Sequence, residues 1–438
     1  VAEPEGGTSA SERHHGLDVL RGVLMLVGVL VHVATLGVDP FFDGIARASG
    51  LFRMEAFFVI SGFLSAMLVT SYGAARAVRR RLAAVGVPLL ATLLVFNPPT
   101  LWMSGVFHSG RDMSFAEFLR ASAGPALAGG LNWYLHLWFL LVLLGYALLT
   151  PAAVRVVSAL TGTRGYRRAT AGRLPAMATI TLAVLGLMAA GRACWTGALE
   201  PLVGSGFHAD LLRRILEFLP FFLLGTLLYL DRARLVPVFG RPAPVLAAAS
   251  GLLLVVSWCG WVDVLSAGTG RVLVETLVAI PLIAALFAVA RRFGSRPRPV
   301  FLYLSDASYS VYLLHFFWIF FFARMLGMDP SLGFGQMTVL AVATYAATFA
   351  THHFVIRRSA LLRKILNGKF PSRAPRPGAA APTPTPAPAP VRAVARPPRP
   401  PRAARAARAA RAPRAPRAAR APRAARARRG SARHAGRV

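Results

Sequence analysis

Arg21 and His32 interrupt the first long apolar run of the chain, eleven positions apart. On an α-helix that spacing is three turns plus about 20°, so the two side chains share one face, with a rise of about 16 Å between them. An imidazole held away from water can take up and return a proton, or carry a transferred group on nitrogen. A guanidinium offers a rigid fork of N–H donors to phosphate or carboxylate oxygens. Asp18, three residues before Arg21, can pair with it locally. Glu55 opens the second apolar run at a depth similar to that of His32, where a carboxylate can orient the imidazole and stabilise its protonated form. Each residue also has a plainer reading. Asp18 and Arg21 can form an interfacial anchor, His32 a hydrogen-bonded packing contact, and Glu55 a headgroup-level pair with Arg47 or Arg53.

Two further histidines can line the same space: His136 near the outer end of the fourth apolar run and His315 near the middle of the ninth. Either can instead be a polar packing contact. His352 and His353 close the tenth run and are expected at the interface. Trp133, Tyr134 and Trp138 sit where an aromatic belt is expected, and Trp138 can also hold a sugar ring. Ser61-Gly62 favours close helix packing; no base stands beside Ser61 in sequence to make it a nucleophile. No ligand spacing for a metal is recognisable, and two cysteines, Cys194 and Cys259, exclude a disulfide framework or a cysteine-based zinc site.

The elements that must hold these residues are membrane helices. The chain has 438 residues, 55 % of them hydrophobic, and the excess lies in blocks of about twenty, the length that crosses a hydrocarbon core of roughly 30 Å. Backbone polar groups cannot remain unpaired in lipid, so such runs fold as helices, and the alternation of barrel strands is absent. The expected fold is an all-α polytopic membrane protein of about ten transmembrane helices. They are expected near residues 17–37, 51–71, 82–102, 131–151, 175–195, 212–231, 243–263, 271–291, 301–325 and 334–356. A short polar segment, residues 1–15, precedes the membrane domain, residues 16–369. It has no basic region of the kind that opens a cleavable signal peptide.

Arginine placement orients the bundle. Clusters follow span two (Arg76, Arg79, Arg80, Arg81), span four (Arg155, Arg164, Arg167, Arg168, Arg173), span six (Arg232, Arg234, Arg241), span eight (Arg291, Arg292, Arg296, Arg298) and span ten (Arg357, Arg358, Arg363, Lys364). Because basic loops stay inside, both termini are expected in the cytoplasm, with the chain in the inner (cytoplasmic) membrane. Net charge is +33; the stretch from Arg373 onward contains 18 arginines and no acidic residue, so +15 remains on the rest. Residues 370–438 repeat Ala, Pro and Arg with almost nothing to bury, and read as a disordered cytoplasmic tail attracted to anionic lipid. The same electrostatics would draw nucleic acid, which is not expected as a functional partner.

Gly16-Leu17-Asp18-Val19-Leu20-Arg21-Gly22, continuing to His32, resembles the opening of the acyltransferase 3 family of integral membrane acyltransferases. Phe57 to Leu64 resembles that family's second helix. His136-Leu137-Trp138-Phe139-Leu140 and Ser308-Tyr309-Ser310-Val311-Tyr312-Leu313-Leu314-His315 resemble two later signatures, in the family's order, over residues 14–367. Phe52-Arg53-Met54 and Leu366-Asn367-Gly368-Lys369 look most like a glucan-modifying branch. The resemblance implies O-acyl transfer, of the acetyl or succinyl class, from acyl-CoA on the cytoplasmic side to a hydroxyl of a carbohydrate or glucan acceptor at the cell envelope. Acyl-CoA is then a substrate, and no bound cofactor is implied. It points to His32 as base or acyl carrier, with Glu55, Arg21 and Asp18 completing the catalytic set. Arg76, Arg79, Arg80 and Arg81 are donor-binding candidates, and His136, Trp138 and His315 acceptor-binding candidates. The family often places two arginines three apart shortly before the proline of span three; here the later position is Ala84, so the donor contact is not assigned to one arginine. A transporter or flippase for an envelope precursor also fits ten helices with buried charge, although no inverted repeat or matched pair of broken helices is visible. A membrane scaffold working through its basic tail is a third class.

The alternation of basic loops yields a direct test. A single cysteine at Arg168 should resist an impermeant thiol reagent in intact cells and react after permeabilisation; reaction in intact cells would reverse the orientation.

Overall fold

The computed structural model describes residues 15–110, 113–120, 133–239, 244–261, 269–293 and 298–369. These fall in the compact unit Val1–Ser372. The N-terminal segment before His15 and the tail from residue 370, expected to be polar and disordered, lie outside the described residues.

Helices occupy all ten expected positions: His15–Ala34, Arg53–Tyr72, Ala74–Ser109 as two α-helices joined by a π-turn, Trp138–Gly162, Arg173–Val203, Phe207–Leu230, Pro244–Trp258, Thr269–Phe293, Pro299–Met325 and Phe334–Ile356. Among the described residues there is no strand, only one isolated bridge between Gly37 and Leu332. Among the described residues, seven helices are long and apolar enough by themselves to cross a membrane. Asp18, near the start of the first helix, and Lys369, at the end of the described chain, line one cavity. Both ends of the described chain therefore lie at one end of the bundle. The helices Phe207–Leu230, Pro244–Trp258 and Thr269–Phe293 occupy the remaining three expected positions.

Phe207–Leu230 carries four charges near its start, and they pair within the helix. Arg213 and Arg214 each lie 2.8 Å from Asp210, and Arg213 lies 3.4 Å from Glu217. Spacings of three and four residues put such pairs on one face. Two boundaries differ from the sequence expectation. The helix after Gly73 starts at Ala74 rather than near residue 82, so Arg76 to Arg81 ride on a helix and not in a loop. The fourth long helix runs to Gly162, beyond the expected end at residue 151, because Pro151 is accommodated within it. An additional helix, Pro40–Gly50, precedes the second crossing, capped by Asp39, whose carboxylate accepts from the amides of Phe41 and Phe42.

Lipid gives helices little hydrophobic reason to associate, so close backbone approach at small residues matters more than in water. Helices Arg53–Tyr72 and Phe207–Leu230 meet backbone to backbone at Gly62 and Gly225. A Cβ on Gly62 would stand 2.0 Å from the Phe222 carbonyl oxygen, and one on Gly225 1.9 Å from that of Val59. Aromatic rings extend the contact: Phe58 stacks on Phe218 at 4.7 Å and Tyr146 on Phe222 at 4.5 Å, while the Tyr146 hydroxyl donates to the Ile215 carbonyl. The first helix is admitted in the same way. Gly16 faces the Ala290 backbone, Gly22 the Ser305 backbone, and Gly28 the Arg53 guanidinium.

Gly62→Ala and Gly225→Ala should each force these helices apart. Overpacking of this kind typically costs about 1–3 kcal/mol. Each variant should lose thermal stability in detergent relative to Gly186→Ala, where a Cβ meets nothing within 4 Å; equal melting of all three would refute the close crossing.

Candidate active site

At one end of the bundle, side chains from several crossings surround a cavity of about 900 Å³. Four cations line it: Arg21, Arg81, Arg357 and Lys369. Arg81 is the most firmly held, donating to the Ser65 hydroxyl from Nε at 3.2 Å and from Nη2 at 2.8 Å, and to the Ser61 carbonyl at 3.1 Å. Helical phase explains why it differs from its neighbours. Arg76, Arg79 and Arg80 share one exposed face, whereas Arg81 falls with Ala77, Ala84, Val85 and Pro88 on the face turned inward. Arg80 instead lies over the Tyr72 ring at 4.3 Å. Arg21 sits 3.7 Å from Asp18, the local pair its spacing implied, and both line the cavity. The Tyr309 hydroxyl is buried without a hydrogen-bond partner, within electrostatic reach of Arg21 and Arg81.

A carboxylate knot closes this end. Asp306 is paired with the Lys369 ammonium, accepts from the Asn367 side-chain amide at 3.0 Å, and faces the His352 imidazole at 3.6 Å. His352 is fully buried and hydrogen-bonded to Ser310, which corrects its expected interfacial place; a nearby carboxylate and hydroxyl let a polar ring be buried. His353 remains exposed. The knot draws Asn367-Gly368-Lys369 across the cavity wall. Gly368 has φ +61°, and a Cβ there would lie 2.3 Å from the Ala84 carbonyl oxygen. Sequence reading missed this arrangement, since its partners lie 46 to 63 residues apart.

Deeper in the bundle three histidine rings meet. The centroid of His32 lies 5.2 Å from that of His315 and 6.3 Å from that of His136, and the last two are 4.6 Å apart. Phe316 packs against all three rings. The Tyr312 carbonyl accepts from both His136 Nε2, at 2.9 Å, and His315 Nδ1, at 2.7 Å. A carbonyl only accepts, so each nitrogen that touches it carries the proton. The opposite nitrogens, His136 Nδ1 and His315 Nε2, are left as lone pairs, and both are buried without a hydrogen-bond partner. The Tyr312 hydroxyl donates to the His136 carbonyl at 2.9 Å, tying the fourth crossing to the ninth. Among the described residues no group of three His, Cys, Asp or Glu side chains could hold a metal ion.

The cavity and the histidine cluster are separated by apolar rings. Phe57 and Phe139, 5.3 Å apart, line the cavity's inner reach, and Phe139 contacts the Tyr312 ring at 6.0 Å. The first helix joins the two, carrying Arg21 in the cavity and His32 in the cluster. Glu55 is buried at the start of the second crossing, within electrostatic reach of Arg53. Trp138 is not in the cluster: its indole stacks on Phe218 at 5.8 Å and lies beneath the Arg214 guanidinium at 4.2 Å. The structure thus gathers His32, His136 and His315 in one place and Asp18, Arg21 and Arg81 in another, and leaves Arg76, Arg79, Arg80 and Trp138 outside both. Arg53, considered from sequence only as a headgroup partner of Glu55, lies against the histidine cluster, within electrostatic reach of His32 and His315.

A family model for an acyltransferase domain matches residues 14–353. Glucans biosynthesis protein C of Escherichia coli strain K12 is 25 % identical over 326 residues, covering 70 % of this chain and 82 % of that protein. The protein of the same name from Escherichia coli O9:H4 strain HS is 24 % identical over 329 residues, with the same coverage. No solved structure matches. With the matched region running from the first helix into the tenth, the chain belongs to the acyltransferase 3 family and is a multi-pass membrane acyltransferase that transfers groups other than aminoacyl groups.

Proposed function

We propose that the protein moves an acyl group of the acetyl or succinyl class from acyl-CoA to a hydroxyl of a carbohydrate or glucan acceptor at the cell envelope. One observation carries this reading: a single helix bears a cation of the basic cavity and the histidine of the cluster on one face, at two depths of the membrane. The cavity suits the phosphate-rich end of the donor, because Arg81 and Arg21 present N–H groups to anionic oxygens. With that end cytoplasmic, as the arginine-rich loops favour, the termini are inside and the chain lies in the inner membrane. The thioester arm then reaches past Phe57 and Phe139 toward His32. The resemblance to proteins named for glucan biosynthesis supports a carbohydrate acceptor.

In the reaction, His32 takes the proton of the acceptor hydroxyl as its oxygen attacks the thioester carbonyl. The new C–O bond forms, the C–S bond breaks, and the CoA thiolate leaves and recovers the proton from the imidazolium. His136 and His315 each keep a buried lone pair without a partner and can hold acceptor hydroxyls by accepting hydrogen bonds from them. Glu55 is the buried carboxylate that serves this group of charges.

General-base help is typically worth about 10² to 10⁴ in rate. His32→Gln keeps a hydrogen-bonding side chain but cannot act as a base near neutral pH. Purified His32→Gln should insert and fold yet lose acyl transfer by at least that lower factor; transfer at near wild-type rate would make His32 a packing residue. Arg81→Gln should act on donor binding instead. A hydrogen bond to a charged group is worth about 1.5–3 kcal/mol, so KM for acyl-CoA should rise about tenfold to a hundredfold, with no such rise in Arg79→Gln. The reverse order would move the donor site to the exposed face.

A further inference from the structure

The histidine cluster has a cationic neighbour whose chemistry the base mechanism leaves unused. Arg53 begins the second crossing, and its side chain reaches across to the first helix at Gly28. A Cβ on Gly28 would stand 2.7 Å from Arg53 Nη1. Gly28 lies four residues before His32, so the two share a helix face one turn apart, and the missing side chain is the slot that brings the guanidinium beside the imidazole. Arg53 lies within electrostatic reach of His32, His315, Tyr312 and Glu55. Among the described residues it makes no hydrogen bond or ion pair within bonding distance, and its Nε is buried without a partner.

A guanidinium held in the membrane without a hydrogen-bonding partner is costly, and such residues mark sites where charge is handled. Its neighbours sharpen the point. His136 and His315 offer bare lone pairs, which repel an anion. The guanidinium therefore supplies the hydrogen-bond donors suited to a negatively charged oxygen in this cluster. We propose that Arg53 is the oxyanion-binding residue of the transfer step, placed by Gly28 to donate hydrogen bonds to the carbonyl oxygen of the acyl group as attack turns it negative.

This rests on the reaction proposed above. The acceptor oxygen bonds to the thioester carbon while His32 takes its proton, and the carbonyl electron pair moves onto oxygen beside Arg53. Collapse restores the C=O bond and expels the thiolate. A donor aimed at charge that exists only in the transition state raises kcat with little effect on substrate affinity.

The test measures steady-state transfer by the purified full-length protein, with acetyl-CoA and succinyl-CoA as alternative donors. Losing one oxyanion donor typically costs about 10² to 10³ in kcat. Arg53→Gln should show that loss equally with both donors, with KM for each within about threefold of wild type. Arg53→Lys should recover part of it, keeping charge without the fork. Gly28→Ala, which displaces the guanidinium and leaves its charge, should lower kcat in the same pattern. Unchanged acyl-CoA affinity and a wild-type elution profile establish that a variant is folded. Loss confined to succinyl-CoA would assign Arg53 to a carboxylate on the acyl group and overturn the proposal, as would a change in KM alone or full activity of Arg53→Gln. If His32→Gln is inactive while Arg53→Gln is not, only the oxyanion assignment falls; if both are active, the reaction itself is misplaced.

Discussion

The Tyr312 carbonyl oxygen, accepting one hydrogen bond from His136 and another from His315, is the contact on which the histidine cluster depends. A polar group in the hydrocarbon region has no water to fall back on, so its partners must come from the protein. By accepting from both rings, one backbone oxygen fixes the tautomers of two imidazoles and leaves their remaining nitrogens buried without a partner. Because His136 and Tyr312 belong to different crossings, the same bonds fix the helices. The reciprocal bond from the Tyr312 hydroxyl to the His136 carbonyl closes the pair.

The same economy governs the basic cavity. Arg81 is tolerated because Ser61 and Ser65 accept its protons, and the Asp306 carboxylate because Lys369, Asn367 and His352 surround it. What is left without such partners is informative. The Tyr309 hydroxyl, the two histidine lone pairs and the Arg53 Nε are buried without hydrogen-bond partners, and they lie along the two ends of the path a donor would follow. Groups satisfied by the protein hold the shape.

Much of this was legible in sequence because membrane helices declare themselves as twenty-residue apolar runs, and because eleven residues on a helix return to one face. Arg21 and His32 followed from those two facts, and the meeting of His136 and His315 with His32 from their depth in separate runs. Arg81 could have been singled out from its cluster, since Arg76, Arg79 and Arg80 repeat at three and four residues and Arg81 breaks the pattern. The approach of Arg53 to Gly28, one turn before His32, appears only in the fold. The Asp306 knot and the stacking of Trp138 on Phe218 depend on pairing between distant helices, which periodicity within one helix does not encode. The charged start of Phe207–Leu230 reads poorly as a crossing until the internal ion pairs of Asp210 are seen.

On the proposed function, a donor entering the basic cavity delivers its acyl group to an acceptor at the histidine cluster. Proteoliposomes of uniform orientation test it most directly, with acyl-labelled acyl-CoA supplied only at the face bearing Arg81 and Lys369 and a glucan acceptor only at the opposite face. Label should become covalently attached to the acceptor, in proportion to CoA released at the donor face. Acceptor acylated only when both substrates share one face, or carried across unmodified with no CoA released, would contradict it.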